Sequence, residues 1–254
     1  MRPPIEICSV RMPVNRGAHP EDPGLFGDDQ RDQLRAAVRD LSWLRTRGYS
    51  GDSAPELVGN RYQLKRRQRD AVARSSCSDA ERAHRLQGRL PPDAIAGQEL
   101  HLDGFNVLIT IEAMLGGAYA FVGRDAAYRD VDPVQGTYRI AHQTAPALRH
   151  LADTLQALRP ARVTWHLDRS VSNVGRVTDR IADVSAETER PWTLDAHAGV
   201  DATLKEASAP VVTSDSAVLD ASDVWLPLER LVHARHVPDA HVVDLRPDGA
   251  RSWA

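Results

Sequence analysis

A short apolar segment that ends in an acid and runs directly into an apolar helix pattern constrains the fold most strongly. Residues 99–103 read Glu-Leu-His-Leu-Asp, and Gly104 and Asn106 open a segment rich in Leu, Ile and Val that reaches Glu112. This order predicts a buried strand, a tight turn and a helix, which is the repeating unit of an α/β sheet. In such sheets the carboxyl ends of the strands border the ligand crevice. The sequence therefore predicts that Asp103 faces a ligand site.

Acids recur at comparable positions further along the chain. Asp168 and Asp215 each follow an apolar predicted strand, and Asp201 opens a helical turn. Parallel strands end along one edge of a sheet, so we expect these side chains to converge with Asp103. Crowded carboxylates repel, and a hard divalent cation such as Mg²⁺ or Mn²⁺ relieves that repulsion. For any one of these acids a helix cap is the simpler explanation, whereas the four together favour a metal site.

Length and composition narrow the classes of protein. The 254 residues suffice for one α/β domain with a smaller appendage. Cys8 and Cys77 fit neither a disulfide framework nor a zinc knuckle, which predicts reduced thiols and a cytoplasmic location. No apolar run approaches the ~20 residues of a membrane span, and the N-terminus lacks the apolar core of a secretory signal. The sequence contains no glycine-rich phosphate loop, no G-x-G-x-x-G and no nucleophile–histidine pairing.

The N-terminal part of the chain is basic although the net charge of the whole is −3. Residues 61–90 carry nine Lys and Arg against three Asp and Glu, and residues 61–74 are predicted to form one basic helix. Such a helix is suited to a polyanion backbone, and a solvated helical face is the alternative. The residues predicted to hold that backbone are Lys65, Arg66, Arg67 and Arg69.

Composition shifts divide the chain into four segments. Prolines and glycines at the N-terminus, and again before the first predicted strand, indicate irregular structure. A helical spacing of apolar residues lies between these two stretches. The predicted segments are an irregular N-terminal segment (1–28), a small basic helical region (29–90), a linker (91–98) and an α/β domain (99–254).

Four short motifs carry the acids. They are Leu102-Asp103-Gly104-Phe105-Asn106-Val107, Asp168-Arg169-Ser170-Val171-Ser172-Asn173, Gly199-Val200-Asp201-Ala202-Thr203-Leu204 and Val211-Val212-Thr213-Ser214-Asp215-Ser216. Their order and spacing resemble the NYN branch of the PIN-like ribonuclease superfamily. That resemblance implies a Rossmann-like, PIN-type, mostly parallel sheet flanked by helices. It further implies a Mg²⁺ or Mn²⁺ centre that cleaves single-stranded RNA, with Asn173 among the substrate-binding residues.

Four further motifs lie before this domain: Leu41-Ser42-Trp43-Leu44, Arg47-Gly48-Tyr49, Leu57-Val58-Gly59-Asn60-Arg61-Tyr62 and Arg66-Arg67-Gln68-Arg69. With them, the whole chain also resembles a family of uncharacterised prokaryotic proteins in which an Arg-rich helical region precedes such a domain. That family brings no established activity. Many PIN-like nucleases carry a further acid just after the last motif, whereas here four residues intervene before Asp220. Asp220 or Asp223 would have to substitute, or the protein is a pseudo-nuclease that binds RNA without cutting it.

Three further polar residues have two interpretations each. Asn106 begins a helix near Asp103 and binds either a metal-bound water or phosphate, or the helix N-terminus. Lys205 lies four residues after Asp201, on the same helical face, and contacts either a scissile phosphate or that acid. Glu112 stands among apolar residues and either meets a buried basic partner or faces the cleft, with the structural role favoured.

The leading hypothesis is a cytoplasmic, metal-dependent endoribonuclease, a phosphodiester hydrolase. In it, Asp103, Asp168, Asp201 and Asp215 hold one or two Mg²⁺ or Mn²⁺ ions and the basic helix holds single-stranded RNA. A non-catalytic RNA-binding or regulatory module and a small-molecule phosphohydrolase on the same scaffold are the alternatives. The sequence does not distinguish RNA from DNA and does not give the oligomeric state.

Overall fold

Two sheets carry the fold of the chain, which a computed structural model describes over residues 15–49, 51–131, 138–188 and 192–247. The strands are β1 Glu99–Asp103, β2 Ala120–Val122, β3 Tyr128–Arg129, β4 Arg162–Asp168, β5 Thr193–His197, β6 Val211–Val212 and β7 Val242–Asp244. The helices are α1 Asp22–Phe26, α2 Asp28–Thr46, α3 Ser53–Arg61, α4 Arg66–Ser75, α5 Asp79–Gln87, α6 Gly104–Gly116, α7 Thr144–Leu158, α8 Val174–Ala186, α9 Val200–Lys205, α10 Ser216–Ala221 and α11 Leu228–His236. A 3₁₀ turn spans Pro92–Ile95.

The larger sheet has the strand order β5-β4-β1-β6, and its neighbouring strands all run parallel. Helices α6, α7, α8 and α9 pack around it. The smaller sheet has the order β3-β2-β7. The predicted α/β class, with a parallel sheet flanked by helices, is confirmed.

Side chains alternate between the two faces of the larger sheet, as the pleat requires. Leu100 and Leu102 of β1 are fully buried, as are Trp165 and Leu167 of β4, and they belong to the main apolar core. The residues between them, which include His101, face the other side, where α9 contacts β1 and β4. One face is thus a core face and the opposite face carries polar groups.

The turn between β1 and α6 requires a glycine. A Cβ atom on Gly104 would lie 2.6 Å from a side-chain carbon of Leu167 and 2.9 Å from the carbonyl oxygen of His166. Contacts this short force neighbouring atoms to move, so any other residue would push the start of α6 away from β4. The close approach keeps the first turn of α6, including Asn106, beside the carboxyl ends of the strands.

The N-terminal helices share a core with the smaller sheet. Phe26 of α1 and Leu34 of α2 are fully buried in one cluster with Phe121 of β2 and Val243 of β7. Phe26 also makes an edge-on ring contact with Phe121, with centroids 4.7 Å apart. The basic helical region therefore packs directly on the α/β domain.

Three sequence predictions about this region are corrected. Residues 61–74 do not form one helix, because α3 ends at Arg61 and α4 begins only at Arg66, where Gln68 accepts a 3.0 Å hydrogen bond from the backbone of Lys65. The segment 1–28 contains helix α1, and its first fourteen residues lie outside the described ranges. The predicted linker 91–98 contains the 3₁₀ turn and the fully buried Ile95, so it is part of the core.

No helix within the described ranges combines the length and the apolar character needed to cross a membrane.

Candidate functional site

The four predicted acids surround one cleft at the carboxyl end of the larger sheet. The cavity has a volume of about 270 Å³. Its polar lining consists of Asp103, Asp168, Asp201, Asp215, Asn106, Asp130 and Arg74, and its apolar lining of Phe105, Ile109, Val171 and Val200. The structure thus brings together all four carboxylates that the sequence places at strand ends, and Asn106 with them. Their catalytic and metal-binding roles stay predictions.

Each acid reaches the cleft from the end of a strand or the start of a helix. Asp103 and Asp168 are the last residues of β1 and β4. Asp201 lies in the first turn of α9, after Gly199 adopts a φ of +77° that favours glycine. Asp215 is the N-cap of α10. The α/β topology itself therefore gathers the acids, as expected for strands that share one carboxyl edge.

Short hydrogen bonds fix three of the four carboxylates. The Thr213 hydroxyl donates to Oδ2 of Asp103 at 2.8 Å. The backbone N–H of Ser170 donates to Oδ1 of Asp168 at 2.8 Å. Oδ1 of Asp215 accepts the first free N–H groups of α10 at 2.8 and 3.0 Å. Each of these bonds survives replacement of Asp by Asn, because an amide oxygen accepts as a carboxylate oxygen does.

The cleft disfavours negative charge on Asp103. Burial raises the pKa of Asp103 to about 7, and the neighbouring carboxylates of Asp201 and Asp215 act in the same direction, while the hydrogen bond from Thr213 opposes them. Burial also raises the pKa of Glu229, which is 2 % exposed, to about 7, and the nearby carboxylate of Asp103 acts in the same direction. An all-oxygen set of donors with excess negative charge fits a hard divalent cation.

Two cleft residues were not predicted as site residues from the sequence. Arg74, near the end of α4, donates a 3.1 Å hydrogen bond to the carbonyl oxygen of Asp130, and its guanidinium lies 3.6 Å from the Asp130 carboxylate. The Thr110 hydroxyl of α6 lies 3.3 Å from the same carboxylate. The only sequence signal for Asp130 is its place in a mixed-charge stretch of the α/β domain. Arg74 lies 56 positions away, so their pairing is visible only in the fold.

Asn106 faces the cleft, and its side-chain oxygen accepts a hydrogen bond from the Ser214 hydroxyl. This contact ties the first turn of α6 to the segment between β6 and Asp215. The Asn106 amide nitrogen is therefore oriented by a fixed partner on its oxygen. A preset amide donor at the rim of an acidic cleft suits a phosphate or a metal-bound water.

The carboxylates share the cleft without forming a tight cluster. Within the part of the chain that the structure describes, one group of three metal-type side chains has its ligand atoms all within 4.8 Å of one another, and it consists of His166, Asp195 and His197. The four aspartates do not meet that criterion. Mg²⁺ commonly binds through one or two carboxylates and keeps several waters, so the spacing still fits that ion.

Several predicted site residues lie elsewhere. Lys205 is exposed at the end of α9 and is not among the described residues that line the cleft. Asn173 donates a 2.8 Å hydrogen bond to the carbonyl oxygen of Tyr138 and adopts a left-handed φ of +67° at the start of α8. Asp220, the candidate fifth acid, forms a 2.7 Å ion pair with Arg85. Asn173 and Asp220 thus have structural contacts.

The four basic residues predicted to hold a polyanion differ in their contacts. Arg67 forms two hydrogen bonds, of 2.7 and 3.1 Å, with the fully buried carboxylate of Asp22. Arg69 donates to the carbonyl oxygen of Leu64 at 2.9 Å and belongs to the local packing. Lys65 and Arg66 are exposed at the N-terminus of α4. The prediction that all four hold a polyanion is therefore corrected to two available cations, because the other two stabilise the helices.

Glu112 has the structural role that the sequence favoured. It is fully buried and lies 2.5 Å from the Arg16 guanidinium. The hydroxyls of Tyr138 and Thr144 also donate to its carboxylate. The basic partner lies 96 positions away, before the first helix, and no sequence pattern pointed to it.

Comparison with known proteins relates this chain to two protein families. Residues 92–231, more than half of the sequence, match the family described as Domain of unknown function (DUF5616). The chain belongs to the DUF5616 family. The matched DUF5616 region begins at the 3₁₀ turn, ends inside α11 and contains all four cleft acids. Residues 33–87 match a second family, described as Protein of unknown function (DUF434), and cover most of the N-terminal helices.

A relative of this DUF5616 protein occurs in Methanocaldococcus jannaschii, where it is described as Uncharacterized protein MJ0935. The two chains are 28 % identical over 201 residues, which are 79 % of this chain and 96 % of the relative. The likeness thus extends over helical region and α/β domain together. No solved structure matches the chain significantly.

Proposed function

We propose that this protein is a metal-dependent endoribonuclease of the PIN type that acts on single-stranded RNA in the cytoplasm. One observation carries the proposal: four carboxylates from separate strand ends and helix starts line one cavity at the carboxyl edge of a parallel sheet. Such a set of acids is costly unless charge is compensated. The resemblance of the four acid motifs to the NYN branch supplies the reaction class.

The donor set supports Mg²⁺ or Mn²⁺ as the cofactor. Asp103 lies at the centre of the charge conflict because, besides its burial, the carboxylates of Asp201 and Asp215 both raise its pKa. Asp168 completes the set of four predicted acids, and Asp130, paired with Arg74, is a fifth acid in the lining of the cavity. A divalent ion held there would lower the pKa of a bound water and neutralise charge on a phosphodiester.

The remaining cleft groups would orient the RNA. Asn106, whose side-chain oxygen is held by Ser214, lies in the cavity wall, and Arg74 places a cation at the same wall. Helix α4 joins Arg74 to the exposed pair Lys65 and Arg66 at its other end. Eight residues of helix span about 12 Å, so a backbone lying along α4 would meet positive charge before it reaches the acids.

The test is cleavage of an unstructured RNA by purified protein with Mg²⁺ or Mn²⁺, and its arrest by a chelator. Asp215→Asn should lower the cleavage rate by about a hundredfold or more, because it removes a charged ligand from the cation site. The variant keeps the helix cap, since Asn caps as well as Asp does. RNA affinity, set by the basic residues, should change little.

Asp183→Asn is the matched control, because Asp183 is an exposed residue of α8 outside the cavity lining. It should cleave like the wild type. Equal cleavage by wild type and Asp215→Asn would point to a contaminating nuclease and remove the support for catalysis.

A binding module without cleavage is the second candidate. It is favoured by the spacing of the acids, of which no three among the described residues bring oxygens within 4.8 Å, and by the ion pair that engages Asp220. This candidate predicts RNA binding that weakens with salt, with no divalent-dependent cleavage in any variant.

A further inference from the structure

A row of histidines crosses the polar face of the larger sheet beside the aspartate cleft. His101 lies on β1, His166 on β4 and His197 on β5. Nδ1 of His101 is 2.8 Å from Nε2 of His166, and Nδ1 of His166 is 3.2 Å from Nε2 of His197. The backbone register places His166 opposite Asp195 of β5. None of these side chains lines the aspartate cavity.

The hydrogen-bond acceptor at the end of this row determines which ring nitrogens carry protons. Nδ1 of His197 lies 3.0 Å from the carbonyl oxygen of Ala198, which only accepts, so this nitrogen carries the proton. Nε2 of His197 then has the free lone pair, and Nδ1 of His166 donates to it. By the same logic Nδ1 of His101 donates to Nε2 of His166. Each ring needs one proton for these contacts, so three neutral imidazoles satisfy all hydrogen bonds in the row.

The ligand-type atoms of three side chains have the spacing of a metal site. The Nε2 atom of His197 is 3.2 Å from Nδ1 of His166 and 3.9 Å from Oδ2 of Asp195, and all three residues fall within a 4.8 Å group. Tetrahedral zinc with bonds of about 2.0–2.1 Å keeps its ligands about 3.3 Å apart. The two histidine nitrogens already have that spacing, and the Asp195 carboxylate would have to move towards them to reach it.

We propose that His166 Nδ1, His197 Nε2 and Asp195 Oδ2 bind a divalent transition-metal ion of the zinc type, separate from the all-oxygen cleft. Two imidazoles and one carboxylate suit Zn²⁺ or Co²⁺ and do not suit Mg²⁺, which prefers oxygen. Three protein ligands leave a fourth position for water. Asp195 is 53 % exposed and His197 is 21 % exposed, so solvent and metal reach the site from the β5 edge.

His101 is the positioning residue of this site. When Nδ1 of His166 binds the ion, the proton of that ring moves to Nε2, which then donates to Nδ1 of His101. His101 in turn carries its own proton on Nε2, so the ligand set is reached by a change of tautomers with no proton lost. A hydrogen-bond partner on the far nitrogen of a metal-binding histidine fixes the ring and raises its basicity.

The test uses the full chain, stripped with a chelator and returned to buffer with excess Mg²⁺ so that oxygen sites are occupied. Calorimetric titration should show one equivalent of Zn²⁺ bound, and Co²⁺ should give the intense visible absorption of a four-coordinate site. His101→Leu should weaken Zn²⁺ binding by about 10–100-fold. His101→Asn should restore affinity, because its amide oxygen occupies the place of Nδ1.

Ligand variants should lose more than His101→Leu does. His197→Ala and Asp195→Asn should abolish the cobalt absorption, and Asp195, at the exposed edge, is the substitution that tests the site without disturbing the core. His142→Ala, at an exposed histidine, and Asp215→Asn, in the aspartate cleft, should bind Zn²⁺ like the wild type.

The inference is overturned if the wild type binds no more Zn²⁺ or Co²⁺ than Asp195→Asn and His197→Ala, each shown by circular dichroism to be folded. It is equally overturned if Asp215→Asn loses the cobalt signal, which would assign the ion to the aspartate cleft. Failure here leaves the ribonuclease proposal standing, because that proposal rests on different ligands.

Discussion

Asp103→Asn should stabilise the metal-free protein at neutral and alkaline pH. Burial is the main cause that raises the pKa of Asp103 from 3.8 to about 7. Between about pH 4 and pH 7 the folded state keeps a proton that the unfolded chain has released, so the free energy of unfolding falls as pH rises and stays low above pH 7. The rise in the pKa of Asp103 from 3.8 to about 7 lowers the free energy of unfolding above pH 7 by about 4 kcal/mol.

Asparagine has no charge to desolvate, and its amide oxygen still accepts from Thr213. The variant should therefore regain up to about 4 kcal/mol at pH 8 and almost nothing at pH 4. For a chain of this size that gain raises the melting temperature by about 10 °C. Adding Mg²⁺ or Mn²⁺ should stabilise the wild type and should affect the variant less, because a ligand that binds only the folded state adds stability.

Urea unfolding at pH 4, 6 and 8, with a chelator or with Mn²⁺, measures these differences. Asp183→Asn, with its exposed carboxylate, is the control and should change the unfolding free energy by less than about 0.5 kcal/mol. If Asp103→Asn is less stable than the wild type at pH 8 in chelator, the cleft does not disfavour the Asp103 charge and the reasoning fails.

Three further changes test the electrostatics of the fold by urea unfolding. Glu229→Gln should stabilise by up to about 3 kcal/mol at pH 8 and little at pH 4, because burial raises the pKa of Glu229 to about 7. Arg67→Ala should destabilise by about 3–5 kcal/mol, since it leaves the buried Asp22 unpaired, whereas the exposed Arg66→Ala should change little. Asp125→Asn should also lower the free energy of unfolding by about 3–5 kcal/mol at pH 7. Burial alone would raise the pKa of Asp125, yet two buried guanidinium groups hold it well below its usual range. The wild type should therefore keep its higher stability until the pH is strongly acid.

Each of these expectations has a contrary result. A Glu229→Gln protein that gains no stability between pH 4 and pH 8 would show that Glu229 ionises freely. Equal losses in Arg67→Ala and Arg66→Ala would show that the ion pair with Asp22 does not stabilise α1 and α4. An Asp125→Asn protein as stable as the wild type at pH 7 would contradict the account of the buried ion pairs.

The sequence predicted the elements whose signal is local. The apolar helix pattern that opens at Gly104 and Asn106 and reaches Glu112 predicted helix α6, which the structure extends to Gly116. Apolar segments ending in an acid gave β1 and β4, with Asp103 and Asp168 at their ends. The four acids could be expected to converge because parallel strands share an edge, which is a property of the fold class.

The sequence failed where a residue's role depends on a distant partner. Arg67 looked like a free cation, and its partner Asp22 lies 45 positions earlier in a segment predicted to be irregular. Arg74 and Asp130 were not predicted to meet at the cleft. The histidine row depends on β1, β4 and β5 being neighbours, and spacing along the chain does not state strand order. An alternating apolar pattern shows which face of a sheet a residue lies on, but it does not show which strand lies beside it.

The most direct test of the central claim is a crystal structure of the protein soaked with Mn²⁺, read by anomalous scattering. The proposal predicts a manganese peak in the cavity of about 270 Å³, at coordination distance from the carboxylate of Asp103 and from at least one of Asp168, Asp201 and Asp215. The same crystals of Asp103→Asn should show that peak weakened or lost. The proposal would be contradicted if wild-type crystals, soaked at a Mn²⁺ concentration that saturates other Mn²⁺ sites, showed no manganese in the cleft.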